Sequence, residues 1–574
     1  MNRLNNIILL VVFICTHAHS QQAYFVDGYH GGIYGHYPVK WKTQFIVDQL
    51  SKHPDWRICL EIEPETWDTV QIQTPGAYRQ LKNVVVTKQV EFTNPTYAQP
   101  YCYNISGESI IRQFQYGIAK INKHFPGVTF TTYSVEEPCF TSCLPQILKL
   151  FGFKYAVLKC PNTCWGGYTN AYGGELVNWV GPDGTPILTV PRYACEKLEE
   201  NSTWQTTAWC NEESYLNACR DAGIEHPVGM CFQDAGWKNG PWLGSGKNTK
   251  SNSVYVTWKD YFENISIGKT NDDWHFSQED MRVNLMWGSQ VRTSENKIII
   301  AEKMSVIAHL ANGYTCVQED LDEAWRTLML AQHHDSWIVP YNGLNKFGTW
   351  ADQIKRWTDE TNTVADKITA ASIFSFDNDT INTEKAQGFV RVYNTLGTKR
   401  KELVTVELPQ EYADFDLEVN DYRNKKVDYS IGKEGGKIRL LFEADVPPFG
   451  YSTYRIKQVK TGKRTVSGSE KIINEGEYVV ENDMYKIVFD LSKGGIIKSL
   501  VAKKEENKEF AKQSGEYSIG ELRGYFYDEG KFRSSTEAPA KLTVLRSNIQ
   551  ETKVKLEGKI ASHPFVQIIS IAQG

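Results

Sequence analysis

The chain has 574 residues and a formal net charge of −5, with no run of basic residues. This excludes a single small domain and argues against nucleic acid as a partner. Apolar residues make up 41% of the chain and aromatic residues 12%, including 16 Trp and 30 Tyr. That is enough to fill several cores and still offer aromatic surface for stacking on sugar rings.

Residues 1–20 carry Arg3, the short apolar run "IILLVVFIC" and the small residues "AHS". They read as a secretory signal cleaved near Ser20. The apolar run is too short to span a bilayer, and no later segment reaches its length. The expectation is an exported protein, secreted or periplasmic, with no membrane span after signal removal. Of twelve cysteines, Cys15 leaves with the signal, and the remainder is odd. Cys139/Cys143 and Cys160/Cys164 form C-x3-C pairs, open to three readings: a structural zinc site, disulfides or buried thiols.

Residues 21–268 alternate short apolar runs with helical spacing. "QAYFVDGYHGG" reads as a strand entering a Gly-rich loop, and "VKWKTQFIVDQLSKH" as a helix. "WRICLEIEPETW" is the next strand and its loop. "ESIIRQFQYGIAKINKHF" predicts an amphipathic helix with Ile110, Ile111, Phe114, Ile118 and Ile121 on one face. This alternation predicts an α/β barrel or a wound sheet with both faces covered. Residues 269–372 turn helical, with "SENKIIIAEKMSVIAHLANG" stopping at Gly313, and predict a small helical bundle. Residues 385–460 alternate as antiparallel β, a sandwich. Residues 470–574 open a further β-domain, read as incomplete because "PFVQIISIAQG" is a strand with no partner after it.

Polar chemistry gathers at three places. "FVDGYHGGIYGH" holds Asp27, His30 and His36 in a loop after the first strand, where a barrel would place its active site. A tight Gly turn with hydrogen-bonded histidines explains the same residues. "YSVEEPCF" offers Glu136 and Glu137 as nucleophile, acid or metal ligand, or as solvated surface charge. "LEIEPETWD", with Glu61, Glu63, Glu65 and Asp68, has the same ambiguity. "LAQHHDSW" places His333, His334 and Asp335 side by side. Adjacent helical residues point about 100° apart, so one histidine ligates a metal while the other packs.

The blocks "SGESIIRQFQYGIAKINKHFPG", "LPQILKLFGF", "WVGPDGTPIL", "WGSQVRTSENKIIIAEK", "EAWRTLMLAQHHD", "VYNTLG" and "VPPFGYSTY" occur in one order. In that order they resemble glycoside hydrolase family 38, the retaining α-mannosidases, over about residues 24–574. The resemblance implies a fold that is α/β plus all-β: an N-terminal (β/α) barrel, a three-helix bundle and a C-terminal β-sandwich region. It also implies a longer protein, hence truncation of this chain.

The family holds one zinc through a His-x-Asp after the first strand, the nucleophilic Asp, and the second His of His-His-Asp. Carried over, these ligands fall on His30, Glu136 and His334, with His333 and Asp335 in support at the sugar. The Asp of His-x-Asp falls on Gly32, which has no ligating group, so either Asp27 or His36 substitutes or the metal site is weakened. Counting back without gaps from "LPQIL" puts Glu136, not Asp, at the nucleophile position. "GMCFQDAGWKNGPW" implies Asp234 as general acid. Trp165, Trp179 and Trp237 are candidate sugar platforms, each also readable as core.

The function implied is an exported hydrolase of α-mannosidic or related bonds in glycans. It would act with retention, through a covalent glycosyl-enzyme and a bound zinc. The departures at Gly32 and Glu136 motivate an alternative, a catalytically impaired glycan-binding relative. A metal-dependent polysaccharide deacetylase is a further alternative.

Overall fold

The computed structural model describes residues 21–136, 139–160, 168–199, 206–243, 252–276, 281–282, 289–343, 348–378, 388–412, 415–434, 436–459, 471–511, 516–548 and 550–572. The chain divides into two compact units, one with residues up to 305 plus 315–372, the other with 306–314 and 373–574. Among the described residues no helix is long and apolar enough to cross a membrane. Among the described residues no disulfide joins Cys139, Cys143 or Cys160. Cys164 lies outside the described residues.

The first unit is built on two five-stranded sheets. In the first, β1 (Ala23–Gly31) pairs in parallel with β2 (Ile58–Ile62), which pairs with β3 (Val90–Phe92). In the second, β4 (Thr132–Tyr133) and β5 (Tyr155–Val157) lead to β8 (Pro186–Val190), then β7 (Val177–Val180) and β11 (Asp273–Trp274). A two-residue strand, β6 (Tyr168–Thr169), pairs with β12 (Met281–Arg282). The strands β9 (Val228–Asp234) and β10 (Ser253–Tyr255) both lie along β1.

The expected closed barrel is corrected to these open sheets. The edge strands facing the seam are only two and three residues long, and a single bond, Ser134 N–H to the Thr93 carbonyl at 3.2 Å, joins the segments that follow them. Every residue of β2 is buried, as parallel strands covered on both faces require.

Helices α1 (Lys42–Lys52), α2 (Thr66–Gln73) and α3 (Pro75–Val85) follow the first two strands. The amphipathic helix α4 (Gly107–His124) starts on Ser106, whose hydroxyl accepts the Ser109 N–H at 3.2 Å. Ile110, Phe114 and Ile121 are buried on it, but Ile111 is exposed. One residue along a helix is about 100° around it, so Ile110 and Ile111 do not share a face. The short α5 (Leu144–Leu150), α6 (Glu213–Asp221) and α7 (Trp258–Asp260) complete the α/β part.

Three long helices come next: α8 (Ser289–Asn312), α9 (Gln318–Ala331) and α11 (Trp350–Phe374), with the one-turn α10 (Asp335–Ile338) between the last two. The residue after α8 is Gly313 at φ +79, the left-handed position that ends helices at glycine. On α9, Ala324, Leu328 and Ala331 are buried as one stripe. The Thr327 and Thr361 hydroxyls join α9 to α11 at 2.8 Å. Gln113 of α4 donates to the Met329 carbonyl and to the Gln332 side chain, both at 3.1 Å, which pins the end of α9 against the α/β part.

In the second unit, residues 388–459 form two three-stranded antiparallel sheets around Leu440, Phe442 and Val419. Residues 471–572 add two four-stranded sheets and a two-stranded one. The last strand, His563–Ala572, pairs along its whole length with the strand before it, Glu551–Ile560.

One buried carboxyl makes the first unit sensitive to pH. Glu91 in β3 accepts the Lys259 N–H at 2.8 Å, and burial raises its pKa from 4.5 to about 7. The folded state therefore holds this proton more tightly than the unfolded chain. The resulting stability is complete below about pH 4.5 and is lost as pH rises through about 7. The loss is on the order of 3 kcal/mol. Glu91→Gln should remove that dependence, which thermal melting between pH 5 and 8 would reveal. Parallel curves for the two proteins would show that Glu91 does not titrate there.

Candidate active site

The site lies at the carboxyl ends of the parallel strands, where an α/β fold leaves its loops free to carry chemistry. The β1–β9 and β1–β2 registers set His30 beside both Asp234 and Glu61. Glu136 follows β4. Its backbone N–H donates to Glu61 Oε2 at 2.7 Å, and Glu61 Oε1 accepts from Asn94 at 3.0 Å. A cavity of about 620 Å³ near Arg57, Lys82 and Lys259 lies at the opposite ends of β2 and β3 and holds none of these residues.

The histidine pair enters from the bundle. Helix α9 ends at Ala331, and the chain turns so that His333 and His334 stack at 4.4 Å between centroids. Trp350 stacks on the other side of His333 at 4.8 Å. His334 Nδ1 meets the Gln99 carbonyl at 2.8 Å. A carbonyl only accepts, so Nδ1 carries the proton and Nε2 keeps its lone pair, the state a metal ligand needs. The Asp335 N–H donates to His333 Nδ1 at 3.1 Å, so the His333 proton sits on Nε2 and goes to Glu63 Oε1 at 2.6 Å.

His30 and His334 lie 5.5 Å apart between ring centroids, and His30 Nε2 is 3.8 Å from Glu136 Oε2. Asp335 Oδ1 is 3.8 Å from His334 Nε2. Burial, reinforced by the neighbouring histidines, lowers the His30 pKa to about 3, so it is a neutral imidazole at ordinary pH. Two imidazole nitrogens and two carboxylates are the donor types zinc takes in a catalytic site, and this set fits that ion. Among the described residues, His333, His334 and Asp335 form a group of metal-ligating side chains with ligand atoms within 4.8 Å of one another.

Other expected residues fall elsewhere. Asp27 is fully buried and accepts from Trp56 Nε1, Gln233 Nε2 and the backbone N–H groups of Gly28 and Trp242, at 2.8–3.0 Å. Four donors use up its carboxylate, so it is a structural hub and not the substitute ligand. His36 is exposed and packs over Gly236, where a Cβ would run into its ring. Trp179 is fully buried against Phe140 and Phe276, a core residue.

Asp234 ends β9, and Trp237, 42% exposed, stands on the turn that follows. Trp165 and Glu137 lie outside the described residues. Sequence reasoning missed Gln99. Its backbone is left-handed at φ +48, its carbonyl holds His334, and its side-chain amide holds the Gly31 and Glu61 carbonyls. No local pattern marks it.

Residues 10–230 match the model described as Glycosyl hydrolases family 38 N-terminal domain. Over that stretch the chain is similar to glycoside hydrolase family 38. It is 30% identical over 116 residues to Alpha-mannosidase G of Dictyostelium discoideum, a match covering 20% of this chain and 10% of that protein. An α-mannosidase structure from Enterococcus faecalis superposes with a TM-score of 0.62 at 15% identity, covering 96% of this chain and 72% of that one. A second family 38 structure from Enterococcus faecalis gives 0.55 at 16% identity, covering 94% and 66%. At these identities the two structures speak for the fold alone, and the likeness to family 38 in sequence lies in residues 10–230. The segment matched to the Dictyostelium discoideum protein is a tenth of its length, so activity and substrate are argued from the site itself.

Proposed function

We propose that this chain is a zinc-dependent glycoside hydrolase that cleaves α-mannosidic or closely related bonds with retention. The observation that carries the reading is the convergence of His30, Glu136 and His334, from three separate segments, at the carboxyl ends of the strands. Glu136 is the nucleophile at the anomeric carbon. Its backbone is clamped by Glu61, which fixes where the carboxylate emerges. Asp234, in register with His30, protonates the leaving oxygen and then takes a proton from water as the glycosyl-enzyme is hydrolysed. Trp237 offers a face for the sugar ring. Zinc, when bound, supplies a grip on the vicinal hydroxyls of the sugar and polarises groups there without proton transfer. His30 and His334 would hold it, with Glu136 and Asp335.

The test is hydrolysis of an aryl α-mannoside by metal-loaded and chelator-stripped protein, with the product anomer followed by NMR. Zinc-dependent release of the α-anomer first is expected. Release of the β-anomer would overturn retention, and activity unaffected by stripping would overturn the metal. The glycan-binding alternative keeps one specific motive, the glutamate at position 136, one methylene longer than the aspartate the family carries there. Mannoside binding without turnover would favour it. The likeness to family 38 over residues 10–230 weighs against the deacetylase alternative.

A further inference from the structure

Gly32 follows β1 directly, and its backbone is outside the left-handed region, so conformation does not demand glycine there. Space does. A Cβ built on Gly32 would lie 2.5 Å from Cβ, Cδ and Oε2 of Glu63. Positions 32 and 63 share a single slot, and Glu63 fills it.

Glu63 reaches the slot from the end of β2, with its backbone N–H on the Gly31 carbonyl at 3.0 Å. The side chain is 1% exposed. Three donors converge on its carboxylate: Tyr34 N–H at 3.0 Å, Gly35 N–H at 3.2 Å and His333 Nε2 at 2.6 Å. A carboxylate buried so completely is costly unless it is met by such donors. These donors come from the Gly-rich loop after β1 and from the histidine turn after α9. Glu63 is the tie between the two segments that carry His30 and His334.

We infer that Glu63 is a positioning carboxylate of the metal centre, supplied from β2 in place of a side chain at position 32. It fixes His333 in the Nε2-protonated form. The stacked His333 in turn sets the plane of His334, whose Nε2 faces the site. This rests on the metal reading above, and it explains how the chain forms a centre although position 32 has no ligating group.

The experiment uses the full chain and zinc alone, with affinity measured by competition against a chromophoric chelator and apo-protein melting as a fold control. Glu63→Gln, which keeps the shape but loses an acceptor, should weaken zinc by about 10–100-fold, the usual cost of losing an outer partner of a ligand. Glu63→Gly should weaken it at least as much, and Gly32→Asp alone should also weaken it because the slot is full. The double variant Gly32→Asp/Glu63→Gly should recover most of the loss, since it returns one carboxylate to the slot from the other side. Zinc affinity unchanged by Glu63→Gln in a folded protein would overturn the inference alone. So would a folded double variant no better than Glu63→Gly. A wild-type chain that takes up neither zinc nor another divalent metal would overturn the metal reading and this inference together.

Discussion

Glu136→Gln should abolish turnover while leaving the fold intact. The residue is 1% exposed, its backbone N–H is held by Glu61 and its Oε2 stands 3.8 Å from His30 Nε2. The amide has nearly the same size and keeps hydrogen-bonding capacity, so packing changes little, but it is a poor nucleophile. Loss of one essential covalent step costs on the order of a thousandfold or more in kcat. The measurement is kcat on an aryl α-mannoside for both proteins, with near-ultraviolet circular dichroism as the fold control. A mechanism-based fluorinated glycoside should label Glu136 in the wild type. Label on Glu63 or Asp234 would move the nucleophile there, and near-normal turnover would remove Glu136 from the chemistry.

His334→Ala should strip the metal and, with it, the activity. The His334 ring is buried, its Nδ1 is fixed on the Gln99 carbonyl, and its Nε2 is presented toward His30 and Asp335. Removing a ligand should exceed the roughly 10–100-fold that outer partners cost, so zinc affinity should fall by more than about a hundredfold. His333→Ala, which removes the stacked neighbour, should fall within that smaller range. Metal content by atomic emission after dialysis decides this. If His334→Ala retains zinc better than His333→Ala does, the roles of the two histidines are reversed.

The elements most legible in the sequence were those governed by local periodicity. Ala324, Leu328 and Ala331 recur at spacings of three and four, so their shared buried face followed from helical geometry. Gly313 ended its helix as a left-handed cap, and alternation in residues 388–459 became antiparallel strands. Ile111 is apolar yet exposed, because angular position around the helix decides burial. Sheet closure was not legible either, because pairing at the seam depends on how far strands three and four extend, and periodicity does not report that.

The residue types at the site were set by the sequence alone. His30, Glu136, His334 and Asp335 are ligand-competent side chains, and their adjacency to strand ends and a helix end was readable in one dimension. Which carboxylates serve the site was decided only by the tertiary structure. Asp27 and Glu63 are both acids near strand ends, yet one is spent on Trp56, Gln233 and two backbone amides, while the other fills the slot above Gly32 and holds His333. Gln99 acquired its role through its backbone carbonyl, which every residue possesses. Hydrogen-bond partners brought together over 235 and 270 positions of chain leave no trace in local spacing; their direction and occupancy exist only once the segments are packed.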